Sequence, residues 1–125
     1  MTENDAPSIR DDRGAVTVEA AIALASIVTV VVLCIGAIVA VTLYIRCVDG
    51  AREAARLAAR GDDASAISAA EKVAPDDARI TIRVDGDLVV ATVSTRSALL
   101  PLVDISADAV AVMEPAAQYE ATVTR

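Results

Sequence analysis

The chain has 125 residues, with 11 Lys and Arg against 18 Asp and Glu for a formal net charge of -7, and it is 55% hydrophobic without a single His, Phe or Trp. The missing histidine excludes Ser-His-Asp and Cys-His catalysis and imidazole metal sites, and two cysteines alone make a poor zinc set. The acidic balance and the shortage of stacking rings argue against nucleic acid as a partner. Ala (27) and Val (18) supply 45 of the 69 hydrophobic positions, so any core is built from small and branched side chains.

Residues 1–14, MTENDAPSIRDDRG, carry two Arg against four acids and read as a short disordered leader of net charge -2. The chain then runs Arg13-Gly14-Ala15-Val16-Thr17-Val18-Glu19 into 26 consecutive uncharged residues, Ala20 to Ile45, of which 22 are hydrophobic. A bilayer core of about 30 Å needs about 20 helical residues, so this run is long enough to span it. A soluble domain of this size could not surround a helix that is apolar on every side. Ser26, Thr29 and Thr42 can return their hydroxyls to carbonyls one turn back. The pairs Ala21 with Ala25 and Gly36 with Ala40 would let a second helix approach closely. Counting only Lys and Arg, with Arg10 and Arg13 before the run and Arg46, Arg52, Arg56 and Arg60 after it, places the C-terminal side in the cytoplasm.

Cys34 falls inside the run and Cys47 just beyond it. Thirteen helical residues rise about 20 Å, too far for an intramolecular disulfide. Cys34 reads as a small buried hydrophobe, and for Cys47, on the outer side, joining another subunit is one option rather than the expectation.

From Arg46 to Arg60 the helix is expected to continue. Arg52, Arg56 and Arg60 recur every four residues on one face, as a contact for anionic headgroups or neighbouring subunits or as a solvated face. Asp49 with Arg52 and Glu53 with Arg56 are spaced as i,i+3 pairs. The opposite positions, Ala51, Ala54, Ala55, Leu57, Ala58 and Ala59, are mostly small, and the alanine side would admit another helix. Gly50 is a point of weakness where the rod can bend, and Gly61 is placed to end it at C′.

A short helix, Ala64 to Val73, should follow a cap at Asp62 or Asp63 and stop at Pro75. Ile80, Ile82 and Val84 alternate with Thr81, Arg83 and Asp85, which is strand periodicity. Asp85-Gly86 signals a tight turn, Leu88 to Thr95 a return strand, and a third strand is expected from Ile105 to Met113 after Leu99-Leu100-Pro101. Residues 115–125 read as a tail, with Tyr119 as its anchor. The fold class is therefore α+β: a long N-terminal transmembrane helix continuing past the membrane, then a small antiparallel three-stranded region at residues 62–114. The acid pairs Asp62-Asp63 and Asp76-Asp77 lack the ligand spacing of a calcium loop and read as surface turns. No Ser or Thr sits in a nucleophile turn, so no enzyme, cofactor, metal or small-molecule substrate is expected.

Glu19 is a charge at the mouth of an apolar helix and needs either to snorkel or to find a cation. Cleavage after Gly14 would free an α-amino group at Ala15 able to pair with Glu19 of a neighbour. Gly14 followed by Glu19 at the fifth mature position resembles the processing site of type IV prepilins. RGAVTVEAAIAL, together with VDGAREAARLAARGD from Val48 to Asp62, resembles the TadE-like proteins, minor pilins or pseudopilins of tight-adherence pilus systems. The sequence departs from many relatives in carrying Ala20 where they have an aromatic residue. The resemblance implies a single-pass cell-membrane protein cut between Gly14 and Ala15 by a prepilin peptidase. It further implies an extracytoplasmic C-terminal domain, pilus or cell-surface association, and other pilin or pseudopilin subunits as partners. In that frame Gly14 is the cleavage determinant and Glu19 the recognition and assembly residue. The alternative is an uncleaved, signal-anchored envelope scaffold or interaction protein.

Overall fold

A computed structural model describes residues 9–116 and 122–123, with side chains from residue 12 onward. The elements are α1 (Ile9–Ala59), α2 (Asp63–Val73), β1 (Arg79–Asp85), β2 (Leu88–Ser97) and β3 (Leu100–Val112). The order of one long apolar helix, a short helix and a three-stranded antiparallel sheet is the expected α+β class. The chain divides into two compact units, Met1–Ile35 and Gly36–Arg125, and α1 contributes to both.

The first unit is helical from Ile9, so residues 9–14 are not the disordered segment expected of a leader. No Pro or β-branched run interrupts Arg10 to Gly14, and Asp12 near the helix start suits the positive end of the helix dipole. Residues 1–8 lie outside the described part. Every side chain from Asp12 to Ile35 is exposed, including Val16, Ile22, Leu24 and Leu33 at about 60% or more. The hydroxyls are satisfied along the helix: Thr17, Ser26 and Thr29 donate to the carbonyls of Arg13, Ile22 and Ala25 at 2.8–2.9 Å. From Ala20 to Ile35 the helix is uncharged, with no buried face and no free hydroxyl among the described residues, which suits lipid as its solvent.

In the second unit α1 is the scaffold on which the rest folds. Cys47, Ala51, Ala54, Ala55, Ala58 and Ala59 are all buried and recur at three- and four-residue steps. The sheet presents Val89, Ala91, Val93, Ile105 and Ala107 to this stripe, and α2 adds Ala66, Ala70 and Ala74. The alanine side, expected to admit another helix, is therefore covered by the sheet and α2 of the same chain. Small side chains permit that close approach, and Val89, Val93 and Cys47 are the largest fully buried ones. Gly50 shows the same economy of space. A Cβ there would lie 3.2 Å from the Cβ of Ala74 and 3.5 Å from the Ala70 carbonyl, so this glycine admits α2, and the helix runs through it unbroken.

Gly61 ends α1 as the sequence suggested. Its φ is +84°, its N–H reaches the Ala58 carbonyl at 2.9 Å, and the Asp62 N–H reaches that of Leu57 at 3.2 Å, which together make a Schellman motif. Asp62, rather than Asp63, caps α2 by accepting from the Ser65 N–H at 3.1 Å. Ala74 closes α2 just before Pro75.

The strand order is β1-β2-β3, antiparallel throughout. Asp85 pairs with Leu88 across a two-residue loop whose first residue, Gly86, has φ +61°, as a II′ turn requires. β3 begins at Leu100, earlier than the expected Ile105, and takes in Pro101. An edge strand tolerates proline because one row of N–H groups has no ladder partner. The register steps from Ser97↔Leu100 to Arg96↔Asp104, so Pro101, Leu102 and Val103 bulge out unpaired with β2. Of the expected tail, residues 115–116 and 122–123 are helical, whereas Tyr119 lies outside the described residues.

Candidate functional site

The residues singled out for processing lie together. Gly14, Ala15, Val18, Glu19, Ile22 and Ala23 line one open groove along α1, the i, i+1, i+4 spacing of a single helical face. A Cβ on Gly14 would meet nothing within 4 Å, so the face is unobstructed there. The peptide bond after Gly14 is within the helix, and the Thr17 hydroxyl is bonded at 2.9 Å to the Arg13 carbonyl. A protease that binds an extended chain must first unwind this turn. Glu19 is exposed and makes no ion pair among the described residues.

The small-residue pairs divide between the two units. Ala21 and Ala25 are exposed in the first. In the second, Gly36 faces Leu100, whose Cδ2 lies 3.9 Å from where a Cβ would stand, and Ala40 packs on the cluster around Cys47, Val93 and Ile105. The contacts that Gly36 and Ala40 make are thus with the chain's own sheet.

The arginine stripe is largely engaged. Arg56 grips Glu53 through two bonds, Nη2 to Oε1 at 2.7 Å and Nε to Oε2 at 3.2 Å. Arg60 Nε meets Glu114 Oε1 at 3.3 Å. The Asp49 to Arg52 pair suggested by spacing does not form among the described residues, and Arg52 is exposed beside a cleft lined by Ala55, residues 109–112 and Glu114. Arg46, which the sequence offered only as a charge near the run, has a structural task. Its Nη2 donates to the Ala74 carbonyl at 2.7 Å and its Nε to that of Val73 at 3.2 Å, satisfying the C-terminus of α2.

Cys34 differs from expectation, and Cys47 is not placed to join another subunit. Cys47 is fully buried in the helix–sheet core, so it offers no thiol to another subunit, whereas Cys34 is exposed. The reason is helical phase: positions 47, 51, 54 and 58 share the face that the sheet covers. Among the described residues no three His, Cys, Asp or Glu side chains gather as a metal site.

The sequence reading passed over the end of the β2–β3 hairpin. Leu99, Leu102 and Val103 are 70%, 98% and 45% exposed, and the Leu99 N–H is held by the Ser97 hydroxyl at 3.2 Å. The signal was available: the five residues Leu99-Leu100-Pro101-Leu102-Val103 contain four large apolar side chains where a turn is normally polar.

The chain is 53% identical over 97 residues to a Mycobacterium tuberculosis protein named Apoptosis inhibitor Rv3655c, a match covering 78% of each protein. The chain belongs to that protein's family. The chain matches no protein-family model and no solved structure.

Proposed function

We propose that this family member is a TadE-like minor pilin or pseudopilin of a tight-adherence pilus or related secretion system. It is held in the cell membrane by α1 and processed between Gly14 and Ala15 by a prepilin peptidase. The observation that carries this reading is the open groove on which Gly14, Ala15 and Glu19 align, at the start of an uncharged stretch of α1, Ala20 to Ile35, whose side chains are all exposed. Removing residues 1–14 would leave Glu19 as the one charged side chain between Ala15 and Ile45, needing a cation that a neighbour's new α-amino group supplies. In this orientation the sheet is extracytoplasmic, and Arg52, which makes no ion pair among the described residues, is placed to meet headgroups or other subunits.

A second reading is an uncleaved, signal-anchored envelope interaction protein. The helical state of the Gly14–Ala15 bond favours it. Fractionation of cells carrying Glu19→Ala separates the two. The pilin reading expects the variant to stay in the membrane and to fall several-fold in the sheared filament fraction. Equal incorporation of variant and native chain contradicts it.

A further inference from the structure

We propose that the β2–β3 tip, Ala98 to Val103, is a second membrane contact, seated in the boundary between headgroups and acyl chains beside the start of the second unit. The proposal rests on α1 being a membrane span. If Glu19 marks one edge of the hydrocarbon, the uncharged residues Ala20–Ile35 rise about 24 Å, roughly 6 Å short of a core of about 30 Å. The next four residues, from Gly36, must supply the difference, and the tip lies against them: Leu100 Cδ2 is 3.9 Å from the position of a Cβ on Gly36. A span through α1 therefore brings the tip to the lipid.

The side chains fit that depth. Leu102 on the bulge is 98% exposed and Leu99 on the turn before it 70% exposed among the described residues. The tip carries no charge between Arg96 and Asp104. Those two residues form an exposed ion pair, Nε to Oδ1 at 2.7 Å, and Asp104 shares a cleft with Tyr44, itself half exposed. Tyrosine and paired charges belong at the aqueous edge of the interface, whereas leucines belong below it. The polar limit therefore falls between Gly36 and Tyr44, and the tip sits on its apolar side. Pro101 removes one backbone donor from the bulge, which makes it less suited to joining another sheet.

The test uses the full chain in vesicles of equal parts phosphatidylcholine and phosphatidylglycerol. Cys34→Ala removes the exposed thiol and Cys47 stays in place, buried. Single cysteines at Ile27→Cys, Leu102→Cys and Asp87→Cys carry the dye NBD, and quenching is read with lipids spin-labelled near the headgroup or at mid-chain. The proposal expects Ile27 to be quenched most by the mid-chain label, Leu102 most by the shallow label, and Asp87, at the opposite hairpin, by neither. Quenching at Ile27 with Leu102 as unquenched as Asp87 overturns the tip contact while leaving the span intact, even if a second subunit shifts the Leu102 emission to the blue. No quenching at Ile27 overturns the span and the tip contact with it.

Discussion

Val93→Ala measures how tightly the sheet is docked on α1. Val93 is fully buried and shares a cluster with Cys47, Ala51, Ala74, Ile105 and Ala107. Two methyl groups leave the core, at about 0.8 kcal/mol each for transfer, and the cavity raises the cost to about 2–3 kcal/mol because alanine neighbours have little side chain with which to refill it. Cys47 is a built-in reporter, since its thiol can be reached only when the sheet lifts. In a Cys34→Ala background, the rate of Cys47 alkylation in the native state follows the free energy of opening when reclosing is fast. A loss of about 2–3 kcal/mol accelerates labelling roughly 30- to 150-fold. Thr81→Ala, on an exposed position of β1, serves as the control and leaves the rate unchanged. A Val93→Ala rate equal to that of the control would refute the idea that helix–sheet docking guards the cysteine.

Other consequences are as direct. Gly61→Ala forces an L side chain to φ +84° in the Schellman motif and lowers stability by about 1–2 kcal/mol, seen as a lower urea midpoint at unchanged m. Asp62→Ala removes the cap of α2 and costs about 1 kcal/mol, read as faster amide exchange within residues 63–73. The guanidinium of Arg96 holds the Asp104 carboxyl below its ordinary pKa, so the pair contributes above that ordinary value and is lost as pH falls through the lowered one. Asp104→Asn therefore flattens the acid limb of the stability curve, by a small amount because both partners are exposed and screened.

The parts of this fold that the sequence made legible are those set by local chemistry. The 26-residue uncharged run, the glycine at position 61, the Asp62 cap and the Gly86 turn each rest on a few adjacent residues, and each is found in place. What escaped depends on which element covers which face. The alternation of Ala51, Ala54, Ala55 and Ala58 with Arg52 and Arg56 was plain, but extending the same phase back to Cys47 was needed to see that its thiol is buried. The alanine face was visible as a contact surface, while its occupant, a sheet from the same chain, was not. The third strand was expected only from Ile105, after Pro101, and its earlier start at Leu100 is allowed because β3 lies at the sheet edge, where a proline is tolerated. The groove of Gly14, Ala15 and Glu19 follows from spacing on a helix, whereas the tip at Leu102 needed the register shift at Arg96 and Ser97 to be recognised as a separate apolar surface.

The central claim is that the chain is a processed membrane subunit, and the mass of its N-terminal peptide tests it most directly. Protein recovered from the membranes of cells with an active prepilin peptidase is predicted to begin at Ala15. Recovery of the intact chain, beginning at Met1, from the same cells would contradict the account.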